Sequence, residues 1–291
     1  MPSCPYVQLD VFADRPGAGN PLAVVPDATG LNDATMQAIA RWTRLPETTF
    51  VFPAPSPRAD YALRIFSPRH EVPFAGHPSV GTAQVLLDRG RLAPRDGLLV
   101  QSCAMGELPL RVDGEGARRT VAVRTPRASI VEVAADGDPR LRAALSGLVP
   151  GALPPVLMDG GRRWWLAELR DEAELRSATP DWAAVAALAA ATGAMGLCVF
   201  ARSDDPVYHL AVRAWVGAQG PFEDVASGAA NATLAAWLSA RGALPAGDGF
   251  YRVSQGREVG HDAIIELRVD ADGEVWSGGR ARTIVSGTID W

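Results

Sequence analysis

One ordered pattern occurs twice in this chain, and it restricts the fold more than any other feature. The first pass runs Arg64-x-Phe66, Pro73-Phe74, Gly76 and then a helical pattern ending Leu86-x-x-Arg89-Gly90-x-Leu92. The second runs Arg213-x-Trp215, Pro221-Phe222, Gly228 and a helical pattern ending Leu238-x-x-Arg241-Gly242-x-Leu244. The offset stays between 148 and 152 residues, and six of the 17 positions from Gly76 to Leu92 are identical at offset 152. Abundant Ala, Leu and Gly raise the number of chance identities. They do not produce an ordered recurrence of strand, Pro-Phe, Gly and helix. The pattern implies a duplication giving two like halves, with a cleft between them where pockets commonly form.

The size fits that reading, because 291 residues suffice for two ordinary cores. Hydrophobic residues at 47% and charged residues at 21% describe a soluble globular chain. The net charge of −5 arises from interspersed charges without a basic stripe, which argues against nucleic acid and anionic membrane as partners. No apolar run is long enough to span a bilayer, and MPSCPYVQLDVFA lacks the basic and apolar regions of a signal peptide. Cys4, Cys103 and Cys198 are odd in number and far apart, so a reducing cytoplasm without a disulfide framework is expected. No ligand cluster has the spacing of a structural zinc site, and no metal is expected.

Strand signals at 6–13, 22–25, 48–52, 61–67, 110–113 and 120–125 surround helical patterns at 33–44 and 79–89. The second half adds helices at 181–191 and 229–241, and strands at 156–158, 164–169, 197–202, 208–216 and 263–270. Asp272-Gly273 marks a hairpin. The stretch TPRASI, 125–130, is the best boundary, giving halves 1–127 and 128–281, with a strand at about 282–291 free to return to the first half. Trp164-Trp165 on one strand predicts one core ring and one surface ring.

Chemistry concentrates at the two loop-to-helix junctions. In PFEDVASGAAN, Pro221 to Asn231, Glu223-Asp224 precede Ala226, Ser227, Gly228, Ala229 and Ala230, whose small side chains let a ligand approach the backbone. A helix start there could receive a small anion. Small residues alone would signify only tight packing; two carboxylates beside them favour a functional reading. His77, in PFAGHPSVGTA, is a proton shuttle or substrate donor on one reading and a capping side chain on another. Glu47, before the strand TTFVF, could have a raised pKa suited to acid–base work, although a surface Glu at a strand start is commoner. GAGNPL lacks the continuation of a dinucleotide fingerprint, His70-Glu71 cannot open a zinc HExxH helix, and Ser79 lacks nucleophile-elbow spacing.

Taken together, DVFADRPGAGNPLAVV, LPETTFVFP, LRIFSPRHEVPFAGHPSVGTA, EDVASGAAN, VSQG and the closing GG-x-A…V-x-G-T-I resemble the PhzF-like phenazine-biosynthesis family. The resemblance spans nearly the whole chain and implies an α+β, diaminopimelate epimerase-like fold. Each half would be a curved mixed β-sheet wrapped around a central helix, with the active site in the cleft between them. By the same resemblance Glu47 is the acid–base glutamate, and His77 and Asp224 are the other polar site residues. Asn20, Gly76, Ser227, Gly228, Ala229, Gln255 and Gly256 are the expected substrate-binding positions, and a homodimer is the expected assembly. No cysteine lies in either motif, which disfavours two-thiol racemisation. Ala229 replaces the usual site serine, and the stretch Gly260-His261-Asp262-Ala263 replaces GRPS, so the pocket is expected not to hold the phenazine precursor itself.

The resulting expectation is a cofactor-independent isomerase that shifts a proton, and so a double bond, in a small unsaturated cyclic amino acid or carboxylate. A specialised-metabolite pathway is its expected setting. A one-base epimerase or cyclase, and a non-catalytic carboxylate-binding protein, are the alternatives.

Overall fold

The structure, a computed structural model, describes residues 3–291. The chain divides into two compact units, one running to Arg124 and resuming at Gly278–Trp291, the other Thr125–Ser277. The first unit opens with β1 (Ser3–Val11), β2 (Asn20–Val25), α1 (Asp33–Thr43), β3 (Glu47–Phe52), β4 (Tyr61–Phe66) and β5 (Glu71–Val72). It continues with α2 (Gly76–Asp88), β6 (Leu98–Cys103), β7 (Gly106–Asp113) and β8 (Thr120–Arg124). The second unit begins with β9 (Ser129–Val133), α3 (Pro139–Ala144), β10 (Val156–Asp159), β11 (Arg163–Glu168) and α4 (Glu172–Ser177). Then come α5 (Trp182–Thr192), β12 (Gly196–Arg202), β13 (Leu210–Val216) and β14 (Phe222–Asp224). After α6 (Gly228–Ala240) follow β15 (Phe250–Gln255), β16 (Ala263–Val269) and β17 (Val275–Gly279), and β18 (Ala281–Asp290) then belongs to the first unit.

In the first unit a mixed sheet bends around α2, which packs against β1, β2, β3, β8 and β18. Every residue of α2 from Gly76 to Leu87 is buried, so apolar and small residues occur on all its sides and even His77 and Gln84 are enclosed. Gly81 costs helix propensity, but a Cβ there would lie 2.6 Å from Leu22 Cδ2 and 2.7 Å from Val11 Cγ2. The glycine lets the helix settle onto β1 and β2. Outside the sheet, α1 is capped by Asn32, whose side chain accepts from Thr35 N, and it buries Met36, Ile39 and Ala40 against Phe50 and Phe66. The helix expected at 79–89 begins at Gly76 instead. Pro78 is tolerated in the first turn, where its missing N–H would have had no intrahelical partner.

The second unit repeats the plan. β2 and β3 are parallel, as are β11 and β12. β3–β4 and β12–β13 are antiparallel, and short β5 and β14 lie antiparallel to β4 and β13. β6 then runs parallel to β4, and β15 parallel to β13. The recurring arginines close the comparison. Arg64 grips Glu71 through Nε and Nη2 at 2.7 and 2.6 Å, and Arg213 grips Glu223 in the same way at 2.9 and 2.7 Å. Trp164 and Trp165 are both buried, against the expectation of one surface ring. β11 is covered on both faces, with α6 against it and Trp165 in the core formed around α5, so alternation exposes neither ring.

Candidate active site

In the first unit, strand pairing and one helix start assemble a polar cluster. Glu47 is the first residue of β3 and pairs with Leu22 of β2. Leu22 meets α2 at Gly81, and Thr49, two residues beyond Glu47, bonds Thr82 of α2 at 2.8 Å. Period-two alternation therefore aims Glu47 toward α2. Asn20, buried and two residues before Leu22, shares that face. His77, second residue of α2, brings its Nε2 to 3.4 Å from Glu47 Oε2, with the two side chains only 8% and 16% exposed.

The distance is that of an ion pair, but the imidazole is not charged. Burial pushes its pKa down from 6.5 to about 3, so it is neutral near neutral pH. Its Nε2 also lies outside hydrogen-bond alignment with any protein group. What results is a neutral imidazole poised over a carboxyl group in a dry setting. No side chain caps the start of α2: its N-cap is Ala75, and Gly76 and His77 lie buried in the first turn.

In the second unit, adjacency in sequence separates Glu223 from Asp224 in space. Trp215 pairs with Glu223 and Ala214 with Asp224, so the two carboxylates occupy opposite faces of β14. Glu223 is committed to Arg213, whose Nη1 also donates to the carbonyls of Leu175 and Ala178 at 3.0 and 2.5 Å. It is a structural acid. Asp224 carries the titratable chemistry. Burial raises its pKa, opposed by the Ala226 N–H at 3.3 Å, the Ser227 hydroxyl and the charge of Arg162, while Glu223 adds to the rise.

On Asp224's face the next cross-strand positions are Ala214 and then Cys198. Burial, helped by the Asp224 charge, pushes the Cys198 thiol up to about 12, so it stays protonated. Cys4 is buried and Cys103 half-buried, and all three cysteines are free. Among the described residues no group of three or more His, Cys, Asp or Glu could hold a metal ion, and no helix is long and apolar enough to cross a membrane.

The remaining candidate positions surround these acids. Ser227 caps α6, its hydroxyl accepting from Ala230 N at 3.3 Å, and Gly228 is the buried first residue of that helix. Ala229 presents a methyl group, and its carbonyl accepts from Thr233 Oγ1 at 2.8 Å. Gln255 is wholly buried with its amide engaged inside the protein, donating to Asp224 O at 2.7 Å and accepting from Ser227 N and Asn231 Nδ2 at 3.2 and 2.8 Å. Gly256 sits at φ +96°, and a Cβ there would lie 2.5 Å from Val225 O, so only glycine fits without strain. Sequence reasoning missed Arg162, which carries no local motif; only the fold brings its charge near Asp224.

These features define a class before they define a family. A hydroxyproline epimerase from Agrobacterium vitis shares the fold with a TM-score of 0.62, at 15% identity over 99% of this chain and 92% of its own. The phenazine biosynthesis protein of the PhzF family from Bacillus anthracis superposes with a TM-score of 0.85, at 22% identity over all of both chains. The fold is thus the epimerase-like α+β fold that the motifs led us to expect.

The description "Phenazine biosynthesis-like protein" (PhzC-PhzF) matches residues 9–288, and this chain belongs to that family. It is 30% identical to antisense-enhancing sequence 1 of Schizosaccharomyces pombe over 97% of both chains. It is 32% identical to trans-2,3-dihydro-3-hydroxyanthranilate isomerase of Pseudomonas chlororaphis over 98% of both. Within the family it is an enzyme of the isomerase class.

Proposed function

We propose that the protein moves a proton between carbons of a small unsaturated cyclic amino acid or carboxylate, shifting a double bond without a cofactor. The supporting observation is the Glu47–His77 pair: a carboxyl group 3.4 Å from a buried imidazole held neutral at an uncapped helix start. Glu47 as carboxylate takes a C–H proton, the π electrons shift along the ring, and the resulting acid returns the proton to another carbon. Atoms and electrons balance within the substrate, so no oxidant or reductant enters. The neutral His77, its Nε2 3.4 Å from the Glu47 carboxyl group, relays the proton once bound substrate brings the two into line. Asp224, its carboxyl raised by burial, supplies a second acid that donates to a substrate heteroatom.

One positioned carboxylate contributes roughly 10²–10⁴-fold in such a step. Turnover of Glu47→Gln should fall by that factor while a substrate analogue still binds, and near-parental kcat in that variant would remove the assignment. The first compound to test is trans-2,3-dihydro-3-hydroxyanthranilate, alongside cyclic dienyl carboxylates lacking its hydroxyl. Ala229 in place of a hydroxyl-bearing residue supports a preference for the less polar members. Running the reaction in D₂O separates a positional shift, with deuterium at a new carbon, from epimerisation, with deuterium at the original one. A compound that binds but never exchanges its C–H protons would point to a binding protein instead.

A further inference from the structure

Two buried glutamines, one in each unit, bond the side chain at the fourth position of the central helix. Gln101 lies on β6, in register with Tyr61 of the parallel strand β4, and is wholly buried. Its Oε1 accepts from Tyr61 OH at 3.2 Å, and its Nε2 donates to Ser79 Oγ at 2.9 Å. Ser79 Oγ in turn donates to Ala75 O at 2.9 Å, the N-cap residue two positions before His77. Gln255 ends β15, in register with Val212 of the parallel strand β13. It holds Asn231 Nδ2, Ser227 N and Asp224 O, and Asn231 Nδ2 also donates to Ser227 O at 2.8 Å.

The correspondence is positional. Ser79 and Asn231 are the fourth residues of α2 and α6, 152 apart, as Gly76 and Gly228 are. Gln101 and Gln255 are 154 apart, each on the strand that follows the central helix. They stand two residues out of step, since Tyr61 pairs with Gln101 while Leu210, 149 residues on, pairs with Val253. An apolar residue of equal length would fill either space but leave the buried partners of the amide without their bonds, each at a cost in stability. A polar brace used twice, once beside the helix start that carries His77 and once beside the end of β14 that carries Asp224, fixes local geometry as well as adding stability.

We propose that Gln101 and Gln255 are positioning residues, setting the α2 start that carries His77 and the end of β14 that carries Asp224. This rests on the assignment of His77 and Asp224 to the reaction. Misplacement by about 1 Å costs up to roughly 10²-fold in rate. Gln101→Met and Gln255→Met should therefore lower kcat by ~10–100-fold on the compound the parent isomerises, with KM changed less than about threefold. A purely structural role would lower stability and leave kcat of the folded fraction intact.

The second readout needs no substrate. In Gln101→Met the side-chain ¹⁵N resonances of His77 should shift at pH 7, while those of His70, His209 and His261 stay in place. In Gln255→Met the carboxyl ¹³C resonance of Asp224 should move. Ser79→Ala and Asn231→Ala, which cut one arm of each brace, serve if the methionine variants do not fold, with the same expected shifts. Folded variants with unmoved resonances and parental kcat would overturn the proposal. If the parent isomerises no compound tested, the proposed activity falls, and the resonances alone decide the brace.

Discussion

Burial of His77 gives the molecule a pH dependence that a surface histidine would not. Its folded pKa of about 3 lies below the ordinary 6.5. Between those values the unfolded chain binds a proton that the native chain refuses, so stability is full above 6.5 and declines as pH falls toward 3. From pH 6.5 to 5 the loss amounts to ~2 kcal/mol. Asp224 works in the opposite sense, because its raised carboxyl group favours the protonated native state and ionisation weakens it as pH rises. Urea unfolding across that window should show His77→Gln losing ~2 kcal/mol less than the parent; equal slopes would mean a hydrated imidazole. Little of this was visible in the sequence. Glu47 stands at a strand start like many surface acids; the apolar strand after it hinted at a raised pKa, and the family resemblance gave it a role. Nothing near His77 decided between cap and catalyst, since solvent exclusion is a property of the assembled unit.

At the scale of elements, the duplication was legible because strand, Pro-Phe, Gly and helix each leave a mark in sequence. The partition of Glu223 and Asp224 was not, because β14 is three residues long and shows no alternation of its own. A clue did exist: Glu71 and Glu223 are 152 apart, the offset of the two helix starts, and both bind the repeated arginine. The two pairs differ in burial, with Arg64 31% exposed and Arg213 5% exposed. Removing one partner of a buried pair leaves an unpaired charge and costs about 3–5 kcal/mol, whereas an exposed pair contributes about 0–1 kcal/mol. Glu223→Ala should therefore lower stability several-fold more than Glu71→Ala in denaturant titrations. Comparable losses would show that the copies bear equal weight. The three-residue displacement of the α2 start had no sequence signal either, since Pro78 reads naturally as a first helical residue.

Along the sequence the second unit is inserted into the first, in which strands from the two ends of the described chain pair with each other. β18 pairs antiparallel with β1 from Ser3↔Asp290 to Val11↔Ala281, with one bulge between Gln8 and Leu9. Removing residues 281–291 would leave β1 paired only with β2 and expose an unpaired edge. Limited proteolysis of that truncated protein should cut first within the N-terminal 124 residues and spare Thr125–Ser277. Uniform cleavage would show that neither unit holds together without the other.

The same pairing fixes a schedule on the ribosome. Residues 125–277 form a continuous stretch and can acquire their structure as soon as they emerge. The portion translated earlier must wait, with β1 unzipped on one side, until β18 emerges. The unit begun before residue 125 is thus completed only after residues 125–277 have been made, and it is the unit that holds Glu47 and His77.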